Sequence, residues 1–192
     1  MKAKRLSREV LPFYLSLIAL TMATLLLDAL LHWVNAVWVG RYLGILGVLL
    51  IIGSFGYSLR KRKIIKSGNP LTLLRWHERM AWAGSLLVLV HAGIHFNAIL
   101  AWLAVWAMLI NVASGLTGKF LLQRARKRME DARQQLRQTG LSNVELEERM
   151  HRDSLTFDVV KQWRAVHFPI TLAFGVLALA HIVGVCLFWG WK

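Results

Sequence analysis

Seven histidines punctuate this chain of 192 residues, and five of them fall in or at the edges of two apolar stretches. His77, His91 and His95 lie in one, His167 and His181 in the other. Imidazole changes charge near neutral pH and, when neutral, offers a nitrogen lone pair to a metal. Inside a membrane an ionisable ring is expensive, and it faces the bundle interior for a reason. From His77 to His91 is 14 residues, and from His167 to His181 is 14 again. On an α-helix 14 steps of 100° fall about 40° short of four turns and rise about 21 Å. Each pair therefore looks out from one face of its helix at two depths.

The elements that must hold these rings are long and apolar. Runs at about 10–31, 42–59, 77–96, 98–117 and 165–189 each approach the ~20 residues that cross a bilayer as a helix. None alternates with the period of a barrel strand. The third and fourth meet around Asn97 with almost no loop, as a tight helical hairpin. The expected fold is thus all-α: an integral membrane bundle of five transmembrane helices, forming one domain over 1–192. Its one polar insertion, about 119–161, reads as a cytoplasmic helical hairpin between helices four and five. Gly140 breaks this insertion, and Ser142 with Glu145 forms a capping box opening its second helix. The insertion is either a solvated connector or a basic face for a partner subunit or anionic lipid.

Composition agrees. The chain is 56% hydrophobic and 18% charged, whereas a soluble domain carries about a quarter charged residues. That excess disfavours a soluble enzyme, a disordered chain and collagen. A single cysteine, Cys186, excludes an internal disulfide, a c-type haem attachment and a Cys-rich zinc or iron–sulfur site. The first residues resemble a signal peptide, but the apolar run is too long and no small-residue cleavage site follows, so a retained first helix is expected.

A net charge of +14 reads first as loop charge that sets orientation, not as nucleic-acid binding. Lys2, Lys4, Arg5 and Arg8 precede the first helix. Arg60 to Lys63, Lys66 and Arg75 follow the second, and Arg124, Arg126, Lys127 and Arg128 follow the fourth. The opposite side holds only Arg41 and Lys192. The N-terminus is expected in the cytoplasm and the C-terminus outside, in the periplasm of a bacterial inner membrane. Trp33, Trp38, Trp102, Trp189 and Trp191 then mark the outer interface, and Trp76 and Trp163 the inner one.

The third and fifth helices are separated by one crossing, so they run the same way. His77 comes level with His167, and His91 with His181. Two levels with an imidazole from either side are what two six-coordinate haems require. Zinc would want three or four ligands at one point. Arg75, Arg79 and Arg164 are the expected partners of the inner propionates. Gly84, Gly93 and Gly175 would let a large ring approach the backbone, and Pro169 would kink the fifth helix. A lone membrane histidine is more often a packing residue, but two matched spacings of this length are hard to reach by accident. His95, one turn past His91, is expected to contact a propionate or support the ligand; replacing His91 or lining a quinone pocket are its alternatives. His32 and His151 read as surface loop residues, and Asp28 as snorkelling or hydrogen-bonded. Asn97, Asn111 and Ser114 are loose candidates for a quinone cleft.

Arg75-Trp76-His77-Glu78-Arg79-Met80-Ala81-Trp82, His91-Ala92-Gly93-Ile94-His95 and Trp163-Arg164-Ala165-Val166-His167 resemble the ferric reductase-like transmembrane domain. NADPH oxidases, ferric reductases and bacterial haem-binding membrane subunits share that domain. The family places its H-x13-H pairs on its third and fifth helices and often has a further His four residues past the second ligand, as His95 is. The likeness covers about 74–95 and 163–181. Cytochrome b of the bc complexes uses similar spacing on a different bundle. Flavin and NADPH domains and a sixth helix, present in many members, are absent from the given sequence, which ends at Lys192. The resemblance implies a conduit with two non-covalent haem b groups, working with a separately encoded flavin, Fe–S or cytochrome subunit. A quinol-oxidising or quinone-reducing anchor subunit is the alternative, and a non-haem transporter using the histidines the remoter one. In each haem reading the chain is an electron-transfer subunit rather than a complete enzyme.

Overall fold

A computed structural model describes the backbone of residues 2–94, 99–138 and 155–188. Side chains are described over 11–94, 99–124 and 161–188 and at 127, 130, 131, 134 and 135. The helices are α1 (Lys2–Trp33), α2 (Val39–Ser54), α3 (Gly56–Lys61), α4 (Pro70–Ile94), α5 (Ile99–Gln138) and α6 (Leu155–Phe188). No strand occurs among the described residues, so the all-α expectation holds.

Local chemistry explains the breaks. α1 ends where Asn35 takes a φ of 55°, a left-handed conformation that asparagine tolerates better than most residues. Asn69 caps α4: its Oδ1 accepts the Leu71 amide at 2.9 Å, and Pro70 fills the first helical position, where no donor is missed. The loop before it turns at Gly68, φ 96°, and Arg60 Nε donates to the Gly68 carbonyl at 3.2 Å.

Among the described residues four segments are long and apolar enough to cross a membrane: Leu11–Trp33, Val39–Lys61, Ile99–Arg124 and Lys161–Phe188. The protein is accordingly a multi-pass helical membrane protein by length and composition. α4 is not among the four; Arg75, Glu78 and Arg79 sit in its first half. Yet α4 is the central helix, packed by α1, α2, α3 and α5. The bundle surface is apolar, with Leu26, Leu172, Leu179 and Phe188 well exposed, while the core is small: Leu20, Leu31, Val90, Ala104, Met108 and Phe174. Such a surface suits lipid and not water.

The polar insertion is described only at its two ends. α5 runs unbroken from the apolar segment to Gln138, and α6 begins at Leu155, before its apolar part. The described parts of 119–161 thus continue the membrane helices as extensions. Gly140, the Ser142–Glu145 box and His151 lie outside the described residues, as do His95 to Ala98 and Trp189 to Lys192.

Packing falls into two antiparallel pairs, α2 on α4 and α5 on α6, with α1 against α4. α4 and α6 share no substantial contact. Across α2 and α4 the touching residues recur every seven: Ser54 with His77, Gly47 with Gly84, Gly40 with His91. A seven-residue seam is that of a left-handed coiled coil, whose winding removes the drift of a straight helix. The interval from His77 to His91 is two such repeats, so both rings return to one seam. On α6, His167, Phe174 and His181 keep the same interval, and Phe174 between them is buried.

Candidate functional site

The four spaced histidines lie two on α4 and two on α6, in separate helix pairs. On α4, His77 Nδ1–H donates to the Ser54 main-chain oxygen at 2.9 Å. Ser54 is the last residue of α2, and a terminal carbonyl lacks a helical donor. His91 Nδ1–H donates to the Gly40 oxygen at 3.0 Å. Its ring lies so close to α2 that a Cβ on Gly44 would stand 2.7 Å from His91 Cγ. A carbonyl only accepts, so in both rings Nδ1 carries the proton and the neutral ring keeps its Nε2 lone pair. That is the tautomer a metal-ligating histidine needs, with the supporting bond already made.

On α6, His167 Nδ1 lies 3.0 Å from Ser114 Oγ of α5. The Trp163 indole stacks on the His167 ring, centroids 4.9 Å apart and planes 22° apart, and its Nε1–H donates to the Ser114 main-chain oxygen at 2.8 Å. One turn deeper, the Thr171 hydroxyl reaches both Asn111 Oδ1, at 2.8 Å, and the His167 carbonyl oxygen, at 2.9 Å. His181 is half-buried and has no hydrogen-bond partner among the described residues. Pro169 is contained within the unbroken α6.

His77 and His167 lie within Coulombic reach of each other. Tyr57 packs by His77, centroids 6.2 Å apart. α4 and α6 run the same way. α4 is antiparallel to α2, Lys119 of α5 meets Glu78 of α4 at 2.8 Å, and Ser114 of α5 meets His167 of α6. One H-x13-H interval onward from the inner ring reaches His91 on α4 and His181 on α6.

The surrounding residues are distributed otherwise than expected. Arg75 and Arg79 are exposed. Each is two residues from His77, hence about 200° around the helix from it, and the structure does not bring them to the ring. Arg164, three residues before His167, is on its side of α6 and within Coulombic reach of Lys61. The Arg62 guanidinium lies 5.3 Å from the centroid of Phe168. Lys61 and Arg62 thus come near Arg164 and Phe168, although in sequence they look like loop charge alone.

Gly84 does not face an open space. A Cβ on it would lie 2.8 Å from the Gly47 oxygen, so its small size serves the α2–α4 contact. A Cβ on Gly93 would approach Asp28 Oδ1, at 3.8 Å, and one on Gly175 would meet nothing within 4 Å. Asp28 is neither snorkelling nor fully bonded: its Oδ1 is buried without a hydrogen bond, 3.7 Å from His32 Nδ1. His32 is in the last turn of α1, not in a loop, and its Nδ1 bonds the Asp28 main-chain oxygen. Asn111 and Ser114 are occupied in the α5–α6 contact. His95 and Asn97 lie outside the described residues.

Ser54, Gly40, Gly44, Ser114 and Trp163 support the histidines, and sequence reasoning either misses them or gives them another role. The glycines at 40, 44 and 47 are a readable signal, since small residues at helical spacing mark close helix contact. The two carbonyl partners give no signal, because every residue has one. Among the described residues no three of His, Cys, Asp and Glu converge, whereas bis-imidazole ligation needs only two rings per iron. The carbonyl contacts give the two α4 rings the tautomer an axial haem ligand takes, and the Ser114 hydroxyl can accept from His167 in that same tautomer.

Comparison with protein-family models, curated proteins and solved structures finds no match.

Proposed function

We propose that the chain is a dihaem b-type membrane cytochrome of five transmembrane helices, carrying electrons across a bacterial inner membrane between partner redox subunits or a quinone pool. In this reading α4 is the fifth crossing, its charged first turns at the cytoplasmic face and its sides covered by the other helices. His77 and His167 hold the inner haem, His91 and His181 the outer one. Bis-imidazole haem supplies a one-electron couple with both axial positions filled.

The chain's own part is to present neutral imidazoles in the ligating tautomer, exclude water with the packed helix pairs, and place cations at the inner end. Lys61, Arg62 and Arg164 suit anionic propionates there. The N-terminus lies in the cytoplasm by the bias of Lys and Arg, where a flavin, Fe–S or cytochrome subunit would dock.

One observation supports this reading above the rest. His77 and His91, the two ends of one H-x13-H interval, both donate Nδ1–H to main-chain carbonyls, and packing alone does not require that two rings share a tautomer. The test is a reduced-minus-oxidised spectrum with haem quantitation of the purified protein. Two b-type haems per chain are expected, and His77, His91, His167 or His181 changed singly to Ala should each remove one. Full haem content in all four variants would refute the assignment.

A further inference from the structure

The proposed ligands differ in what holds them. His77 and His91 lean on main-chain oxygens, which no side-chain substitution deletes. His167 leans on a side chain, the Ser114 hydroxyl, at 3.0 Å. Ser114 is also gripped from the other direction, because its main-chain oxygen accepts the Trp163 indole N–H at 2.8 Å. One residue of α5 is thus clamped by two residues of α6 a turn apart, and the indole stacks on the imidazole it helps to place. Glycines make the room: a Cβ on Gly118 would overlap the Trp163 ring, and one on Gly115 would stand 3.8 Å from His167 Cε1.

This arrangement exceeds what α5–α6 cohesion needs, since the Thr171–Asn111 bond one turn deeper already joins the two helices. It fixes the rotation of one imidazole, and in the tautomer that leaves Nε2 open to a metal the hydroxyl accepts from Nδ1–H. An acceptor at Nδ1 pushes electron density through the ring to whatever Nε2 binds, which favours the higher oxidation state of a bound metal and lowers its reduction potential. A hydroxyl is the adjustable form of such an acceptor, because it rotates and can also donate, while a main-chain carbonyl is fixed and only accepts.

Resting on the dihaem reading, we propose that Ser114, locked by Trp163, is a positioning residue that sets the potential of the inner haem alone through His167. The outer haem, at the far end of the H-x13-H interval on both helices, is beyond its reach.

The test is a potentiometric titration and low-temperature EPR of the purified holoprotein. Ser114→Ala should keep two haems per chain, move one of the two redox transitions to higher potential, and alter the low-spin signal of that haem only. Ser114→Thr, which keeps the hydroxyl, should restore both. Trp163→Phe, which keeps a stacked ring but not the N–H, should shift the same transition less. Unmoved transitions in Ser114→Ala, equal movement of both, or a Ser114→Thr variant that shifts as far as Ala would each overturn the proposal. So would loss of a haem in both Ser114 variants. Wild-type protein without haem would overturn the dihaem reading itself, whereas two haems with an indifferent Ser114 would leave that reading standing and remove only this one.

Discussion

The α2–α4 pair and the α5–α6 pair present histidines at the same spacing but are built by opposite means. α2 and α4 meet backbone to backbone. Gly47 and Gly84 face each other so closely that a Cβ on either would stand under 3 Å from the other's carbonyl oxygen, and the histidines finish the contact by donating to main-chain oxygens. α5 and α6 meet through side chains: Asn111 with Thr171, Ser114 with His167, and the indole of Trp163 laid over Gly118. The difference teaches where each half is vulnerable. The first pair is vulnerable to added bulk along its whole seam; the second is vulnerable to bulk under Trp163 and not at Gly175, where nothing lies within 4 Å.

Bulk at the glycine contact is expected to have the largest effect. Gly84→Leu drives a side chain into the α2 backbone, where overpacking costs about 3 kcal/mol or more. It also pulls His77 and His91 from their acceptors together. Thermal unfolding in detergent should show a large drop and, under the proposed dihaem function, both haems should be lost. The control is Gly175→Ala on α6, where nothing lies within 4 Å; there a gain of up to about 1 kcal/mol in helix propensity is expected. Equal responses at the two glycines would erase the contrast.

Next in size is Gly44→Ala. The new methyl would stand 2.7 Å from the His91 ring, forcing a local shift that costs about 1–3 kcal/mol. Only the outer haem should suffer, which haem quantitation and spectroscopy can resolve. A variant that loses the inner haem instead would reverse the assignment of depth.

On the side-chain pair, Thr171→Val removes a bond between membrane helices, and such bonds average about 0.6 kcal/mol with a ceiling of about 1.7. A small fall in unfolding midpoint with haem content kept is expected. The smallest effect belongs to Lys119→Gln, which breaks the 2.8 Å pair with Glu78. Both side chains are about one-third exposed (38% and 32%), so solvent screening leaves about 0–1 kcal/mol, toward the lower end. A melt that drops by several degrees would show that α4 depends on this link to α5 far more than its exposure implies.

How much of this is legible in the chain depends on the kind of signal. Helices of membrane length announce themselves through composition, and matched histidine spacing announces a shared face, because both follow from repeat distances along one chain. Sequence reading fails where a residue's role depends on what lies across from it. Arg75 and Arg79 are close to His77 in sequence yet on the far side of its helix. Gly84 reads as clearance for a ligand and is the floor of a helix contact. Lys61 and Arg62 read as orientation charge and end beside Arg164 and Phe168.

The polar stretch after helix four shows the same limit from another angle. Its helix-forming residues are plain, but nothing local says whether a polar helix starts anew or extends the one before it. In α5 no glycine or proline interrupts 119–138, so the membrane helix simply continues.

By itself the order of residues determined the α-helical class, several apolar crossings, a basic face and two rows of imidazoles, since each is a property of periodicity or of composition. Tertiary structure alone decided which nitrogen of His77, His91 and His167 is spoken for. That choice is made by carbonyls of Ser54 and Gly40 and the hydroxyl of Ser114, each on a different helix from the ring it meets or just outside one, and adjacent to it only once the helices pair. A hydrogen bond of this kind is a fact about distance in space, and a sequence records distance only along the backbone.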